Sequence, residues 1–203
     1  MHKNRKPIFG VGINDWESPV YMGNKQMKEY QVWVSMLARC FSNKEKARKP
    51  CYESSSCSDD WLLFSNFVRD LRLMTGFDNM MKLSWQLDKD LILKGNKNYS
   101  SEVCCLIPKE LNVFLTNGAS KRGGLPLGVH ERKNENLTKT FVSSIFYKGK
   151  SIHLGYFNDP LVAHLSYKVK KEELLKIYAE ELVGTIDDRA YNALINYRVE
   201  ITD

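Results

Sequence analysis

The chain of 203 residues has a net charge of +6, and 43% of its residues are hydrophobic, which is typical of a globular protein that buries a core. No window of about 18 apolar residues occurs, so the sequence excludes a helix that spans a membrane. The first residues, MHKNRKPIFGVG, carry positive charge without a following apolar segment, so we expect no secretory signal.

The first predicted helix begins near residue 28, after an irregular segment rich in Gly, Pro and Asn. Its apolar side chains recur at spacings of three and four, which places them on one face. The pair Asp59 and Asp60 predicts the capped start of a second helix with an apolar inner face. These faces hold Tyr30, Trp33, Val34, Leu37, Cys40 and Phe41 in the first helix, and Trp61, Phe64, Phe67, Val68 and Leu71 in the second. We interpret their aromatic residues as core rather than as a surface that stacks bases.

The middle of the chain predicts a small hairpin followed by a short helix. The apolar pieces LILKGN (91–96) and CCLIP (104–108) indicate the two strands, and the helix is predicted at about 108–115. The segment 117–128, NGASKRGGLPLG, combines Gly, Ser, Pro and two basic residues and is typical of a linker.

Beyond this linker the apolar period changes to two, which predicts strands at 141–147 and 150–157 joined by a turn at Gly149. A first strand at 128–133 completes a three-stranded antiparallel sheet. Asn158 or Asp159 caps the next predicted helix, in which Pro160 suits the first turn. Apolar residues follow along that helix, Gly184 ends it, and a short helix is predicted at 187–196; the apolar residues are Leu161, Leu165, Val169, Leu174, Ile177 and Leu182.

The fold class is therefore α+β, with a mixed N-terminal domain at 1–116, a basic linker at 117–127 and a sheet-plus-helix module at 128–203. The module's helix covers one face of the sheet, and the other face is predicted to meet solvent. Residues 121–151 hold seven basic and two acidic side chains, which is most of the net charge of the chain. From the charge alone, a polyanion partner such as double-stranded DNA and a solvated basic surface without a partner stay equally open. The candidate DNA-binding residues are Lys121, Arg122, His130, Arg132, Lys133, Lys139, Lys150 and His153.

The C-terminal module resembles the DNA-binding domain of the plant Apetala and ethylene-response factors, which phages also carry beside nuclease modules. The resemblance rests on G-V-x-x-R (128–132), F-V-x-x-I (141–145) and I-H-L-G-Y-F (152–157), followed by Ala163 and Tyr167. It implies that the solvent face of the sheet binds the major groove. Arg132 matches the family pattern, whereas His130, His153 and Phe146 stand where that family favours Arg and Trp.

The N-terminal domain is similar to a phage family related to HNH nucleases. The similarity rests on L-D-K-D…G-N-K-N-Y-S-S-E-V-C-C…N (87–112), W-V-S-M-L-A-R-C (33–40), P-C-Y (50–52) and D-D-W-L-L-F (59–64). It implies an HNH-like, ββα-related domain in which a hairpin and a helix hold one divalent metal ion, and in which a histidine activates water.

Carried onto this sequence, the resemblance makes Asp88, Lys89, Asp90 and Asn112 the candidate catalytic residues. Asp88 and Asn112 would bind Mg²⁺ or Mn²⁺ if the protein is an active nuclease. Asn98 and Asn112 would be the second and third letters of the family motif, and Asn98 would thus be the asparagine that holds the loop. Lys89 stands where the family has its histidine, and a protonated lysine cannot accept a proton. It would instead suit a phosphate contact. The Asp-X-Asp pair, Asn96 and Asn98 also fit a turn without catalytic function.

Five cysteines, all in the N-terminal domain, leave a four-ligand zinc site open. No C-x-x-C spacing occurs and Cys40 and Cys104 belong to apolar stretches, so buried free thiols are the favoured interpretation.

Three functions follow as hypotheses. The first is a phage-type protein that binds double-stranded DNA as a regulator or accessory factor, with a degenerate HNH-related domain, in the cytoplasm of an infected bacterial host. The second is an active, site-specific homing-type HNH endonuclease that depends on a divalent metal. The third is a phage inhibitor of a host protein. The missing histidine favours the first over the second, and the basic linker and sheet favour it over the third.

Overall fold

A computed structural model describes residues 6–116, 124–132 and 140–201. These residues form two compact units of mixed α and β structure, which confirms the α+β class. The first unit contains the described residues up to Ile107 together with Thr185–Ala190, and the second contains those from Pro108 to Gly184 and from Tyr191 onward. The predicted domain limits at 116, 127 and 128 stay predictions. Among the described residues, no helix is long and apolar enough to cross a bilayer.

The first unit is built around helices that pack through the predicted apolar faces. The second helix begins later than predicted, because Asp59–Leu62 forms a 3-10 turn and the α-helix starts at Phe64. Its first turn is capped by a distant residue, since the backbone N–H of Ser65 donates to Asp15 Oδ1 at 2.8 Å. The helices are α1 (Lys28–Phe41), α2 (Asn43–Arg48), α3 (Phe64–Leu73) and α4 (Phe77–Lys82).

The core of the first unit is aromatic. Trp33, Trp61, Phe64 and Phe67 have no solvent-exposed surface, and their rings pack in two pairs, Trp33 with Phe64 and Trp61 with Phe67. The indole of Trp33 donates to the backbone oxygen of Trp61 at 2.7 Å, so α1 is tied to the 3-10 turn by a buried hydrogen bond. This confirms that these aromatic residues are core, because none of them is available for stacking on a base.

The strands of the first unit form three two-stranded sheets. The hairpin β1 (Tyr21–Met22) and β2 (Lys25–Gln26) is antiparallel, and β3 (Ser56–Cys57) pairs in parallel with β5 (Asn98–Tyr99). The strand β4 (Trp85–Asp88) pairs with β6 (Cys105–Pro108). The predicted strand at 91–96 was therefore wrong: the strand that pairs with CCLIP lies earlier, and 89–97 forms turns.

The second unit contains the predicted three-stranded antiparallel sheet, in the order β7 (Val129–Glu131), β8 (Phe141–Tyr147) and β9 (Lys150–Phe157). The turn between β8 and β9 consists of Lys148 and Gly149, both with positive φ, as a tight hairpin requires. The unit also contains α5 (Lys109–Leu115), α6 (Pro160–Glu181) and the end of α7 (Asp188–Ile195).

Helix α6 begins as predicted, because the side chain of Asp159 accepts hydrogen bonds from the backbone of Leu161 and Val162. Its buried face, however, differs from the apolar pattern of the sequence. Leu161, Leu165 and Val169 are more than half exposed. The buried side chains include polar and charged ones, and they are Ala163, His164, Tyr167, Lys171, Leu174, Leu175, Tyr178 and Ala179.

Candidate functional site

Asp88 lies at the end of β4 and is 7% exposed. Its Oδ1 accepts hydrogen bonds from the backbone N–H groups of Asp90, at 3.0 Å, and Leu91, at 2.8 Å, so the carboxylate caps the turn that follows the strand. Burial and the negative charge of Asp90 raise the pKa of Asp88 to about 6, although the two backbone hydrogen bonds oppose that change. The structure thus holds a buried carboxyl group whose charged form is disfavoured.

Lys89 is also 7% exposed, and its ammonium group is directed into the loop. Nζ donates to Asp90 Oδ2 at 3.0 Å and to the backbone oxygen of Asn96 at 3.1 Å, and it lies 5.9 Å from the ring centroid of Tyr99. An ammonium group held in this way closes the loop onto itself. Contact with a phosphate, the role predicted for Lys89, would require these bonds to break first.

Asn96 holds the loop between Lys89 and Asn98. Its Nδ2 donates to the backbone oxygens of Lys89, at 2.7 Å, and Asn98, at 2.6 Å, and its Oδ1 accepts from the backbone N–H of Asn98 at 3.2 Å. The side chain of Asn98 instead accepts from the hydroxyl of Ser56 at 3.0 Å, between β5 and β3. The asparagine that fixes the loop is therefore Asn96, which the sequence indicated only as a turn residue.

We expect Asn96→Ala to lower the free energy of unfolding of the first unit by roughly 2 to 3 kcal/mol, because it removes three hydrogen bonds from a half-buried loop. Urea titration followed by tryptophan fluorescence measures this loss. The matched control is Asn43→Ala, at an exposed position at the start of α2. Equal losses in the two variants would contradict a loop-fixing role for Asn96.

The donor groups near Asp88 do not fit a divalent metal ion in this arrangement. Oδ1 of Asp88 is engaged by backbone N–H groups, Asp90 is paired with Lys89, and the ammonium of Lys89 would repel a cation. Within 6–116, 124–132 and 140–201, no group of three or more His, Cys, Asp and Glu side chains could hold a metal ion. Asn112 lies on α5, in the second unit. The metal and catalytic roles of Asp88, Asp90 and Asn112 stay predictions.

All five cysteines are free thiols, and Cys40, Cys104 and Cys105 are buried. Cys40 on α1 and Cys57 on β3 share a hydrogen bond. This bond, together with burial, raises the pKa of Cys40, whereas the same bond lowers the pKa of Cys57. Burial raises the pKa of Cys104 to about 12. These thiols belong to the interior of the first unit, as the sequence predicted for Cys40 and Cys104.

The second candidate site is the solvent face of the sheet β7–β8–β9. His130 and His153 are exposed, and so is Lys150 at the start of β9. The guanidinium carbon of Arg132 lies 4.2 Å from the ring centroid of Tyr156, and the ring of His153 lies 4.5 Å from the same centroid. The structure therefore brings Arg132 and His153, predicted from sequence, together around one aromatic residue that the sequence did not single out.

The remaining basic residues either lie outside the described part of the chain or have partners within the second unit. The predicted DNA-binding residues Lys121, Arg122, Lys133 and Lys139 lie outside the described residues. Lys148, in the turn, is paired with Glu181 at 2.7 Å. His164 is buried on α6, where its Nδ1 lies 2.9 Å from the backbone oxygen of Leu127, so it is a structural residue of the second unit.

Comparison with known proteins adds no relative: no family model, no curated protein and no solved structure matches this chain.

Proposed function

We propose that this protein binds double-stranded DNA through the solvent face of β7–β8–β9. It acts as a phage-type regulator or accessory factor in the cytoplasm of an infected bacterial host, and its first unit is a degenerate relative of HNH nucleases. The observation that carries the proposal is the grouping of Arg132, Tyr156 and His153 on a sheet face that α6 leaves uncovered. The resemblance of the motifs at 128–132, 141–145 and 152–157 to Apetala-type domains supports the same surface.

The shape of this surface suits the major groove. The groove is about 12 Å wide and admits a two-stranded ribbon. The strands β8 and β9 form such a ribbon, with seven and eight residues joined by a tight turn. Because neighbouring strands lie about 4.8 Å apart, this ribbon is narrower than the groove, and its solvent face would meet the base edges.

Charge supports the same partner. Arg132 and Lys150 flank the exposed face, and the sequence places four further basic residues within 121–139. Cations that contact phosphates release counterions from DNA, so affinity for any duplex should fall steeply as salt rises.

The loop of the first unit favours binding without cleavage. Asp88 caps a turn, Lys89 is paired with Asp90, and no histidine is present in 6–107 or 185–190. The histidine that acts as general base in HNH nucleases is therefore absent from the described part of that unit.

The test is the affinity of the purified chain for a labelled duplex, measured by fluorescence anisotropy over a salt series. We expect Arg132→Ala to weaken binding roughly tenfold. Lys176→Ala, at an exposed position on α6, removes the same charge from the same unit and should change binding little. The single-stranded oligonucleotide of the same sequence is the second probe, because aromatic residues on an exposed sheet can also stack unpaired bases.

Three outcomes would overturn the proposal. Failure to retain any duplex at low salt would remove DNA as the partner, and salt-insensitive capture of a host protein would then favour the inhibitor hypothesis. Tighter binding of the single strand than of the duplex would replace groove binding by base stacking. Discrete cuts in Mg²⁺ or Mn²⁺ that disappear in Asp88→Ala would show an active endonuclease.

A further inference from the structure

The solvent face of β8 carries apolar side chains. Phe146 is 66% exposed, whereas its neighbour Ile145 is 3% exposed and directed into the core. By the alternation of a strand, Val142 lies on the same side as Phe146, because Ser143 is fully buried on the other. Val142 is half-buried. Two apolar groups thus lie on the surface that is proposed to meet DNA.

Cross-strand pairing places these two residues at separate levels of the face. Val142 lies between His130 on β7 and Tyr156 on β9. Phe146 pairs with Ser151. Between these two levels, Ser144 pairs with His153. The face therefore presents an apolar position, a polar position and a second apolar position along β8.

The two apolar positions are far enough apart to meet different base pairs. Four residues along a strand cover about 13 Å, at 3.3 to 3.4 Å per residue. Base pairs rise by only about 3.4 Å along the helix axis, and a path that follows the groove around that axis is longer per base pair. A ribbon that follows the groove would therefore place Val142 and Phe146 against two separate base pairs.

The major groove offers one apolar group on its base edges, the C5-methyl of thymine. 5-Methylcytosine carries the same group at the same place. The edges of guanine and of unmodified cytosine present polar atoms, and covering these with a phenyl ring without a hydrogen bond is unfavourable.

We propose that Val142 and Phe146 recognise pyrimidine C5-methyl groups in the major groove, so that the protein prefers thymine-rich or C5-methylated duplexes. This specificity rests on the proposed binding of duplex DNA. The polar level formed by Ser144 and His153 lies over the base pairs between the two methyl contacts.

The test compares duplexes that differ only in this methyl group. One pair is an alternating dA–dT duplex and the same duplex with deoxyuridine in place of thymidine, and the other is a dG–dC duplex with and without C5 methylation of cytosine. Loss of two methyl contacts should weaken binding roughly tenfold. A gain in affinity from the methyl group in either pair supports the proposal and identifies the pyrimidine that supplies it, whereas equal affinities in both pairs would overturn it.

Variants separate this specificity from binding itself. Phe146→Ser should reduce the ratio between methylated and unmethylated duplexes while duplex binding remains. Val169→Ser changes an apolar residue that is 67% exposed on α6 and should leave the ratio unchanged. Loss of the ratio in Val169→Ser as well would overturn the assignment to β8. If wild-type protein retains no duplex at all, the proposed function fails, whereas retention with equal affinities refutes only the methyl specificity.

Discussion

Gly128→Ala should lower the free energy of unfolding of the second unit by roughly 3 to 5 kcal/mol, because it combines backbone strain with overpacking. Gly128 has a φ of +79°, which side chains other than that of glycine rarely allow. A Cβ at this position would lie 2.0 Å from Cδ2 and 2.1 Å from Cγ of Tyr167. These atoms are at the base of the ring, so rotation about the end of the side chain does not relieve the overlap.

Tyr167 has little space into which it could move. It is 7% exposed on α6 and belongs to the core of the second unit. Its ring lies 6.5 Å from that of His164, and the ammonium of Lys171 lies 5.8 Å from its centroid. An alanine at Gly128 would therefore displace either β7 or the helix.

Gly149→Ala is a matched control, since Gly149 has the same φ of +79° and a Cβ there would meet nothing within 4 Å. It should cost only the backbone strain, about 1 to 2 kcal/mol. Circular dichroism during urea unfolding measures both variants. All four tryptophans lie at 16, 33, 61 and 85, so their fluorescence reports the first unit as an internal reference. Equal losses of unfolding free energy in the two variants would mean that Tyr167 moves aside for the added methyl group.

Local patterns in the sequence predicted the sheet of the second unit well. The period of two and the turn at Gly149 correspond to β8 and β9, and Asp159 caps α6 as expected. In the first unit, the apolar spacing of α1 identified Trp33, Leu37 and Cys40, which are all buried. These features depend on residues close together in the chain, so periodicity and capping residues are sufficient to find them.

Contacts between distant residues could not be predicted in this way. The cap of α3 comes from Asp15, fifty positions before Ser65. The buried face of α6 contains Tyr167 and Lys171 rather than Leu165. Tyr167 packs in the core of the second unit, and the ammonium group of Lys171 lies over the rings of Phe114 on α5 and of Tyr167. Hydropathy alone assigns such side chains to solvent.

In the candidate sites, too, the sequence predicted individual residues but not the contacts between them. The sequence identified Arg132 and His153 from charge and strand position, but not Tyr156, against which both lie. In the loop after β4 it singled out Asp88 and Lys89, but assigned the loop-fixing role to Asn98 rather than Asn96. Hydrogen-bond geometry within a loop has no sequence period, so only the structure distinguishes the two asparagines.

Asp88→Asn should stabilise the first unit at neutral pH, by about 3 kcal/mol at most. The side-chain oxygen of asparagine can still accept from the backbone of Asp90 and Leu91, so the turn remains capped. What the substitution removes is the buried negative charge, whose cost is seen in a pKa of about 6 instead of the ordinary 3.8.

The sign of the pH dependence follows from that raised pKa. The folded state holds a proton on Asp88 that the unfolded state loses between 3.8 and about 6, so this group stabilises the fold fully at pH below 3.8. Its contribution is lost as pH rises through about 6. The stability difference between Asp88→Asn and wild type should therefore be small near the acid end of this window and greatest above it.

Urea unfolding followed by tryptophan fluorescence, at several pH values across this window, measures the difference. Asp60→Asn, at an exposed position in the same unit, controls for the loss of one negative charge. A difference that does not change with pH would show that the charge of Asp88 carries no penalty in the fold.

The same samples in Mg²⁺ or Mn²⁺ test Asp88 as a metal ligand. An ion that binds only the folded state stabilises it by an amount that grows with the logarithm of the ion concentration above its dissociation constant, and a carboxylate ligand must be charged to bind it. Stabilisation of wild type by the ion at neutral pH, absent in Asp88→Asn, would make the ion the partner of the buried charge and favour the endonuclease hypothesis. Without that stabilisation, the buried carboxyl group serves as the cap of the turn after β4, which favours the hypothesis of DNA binding without cleavage.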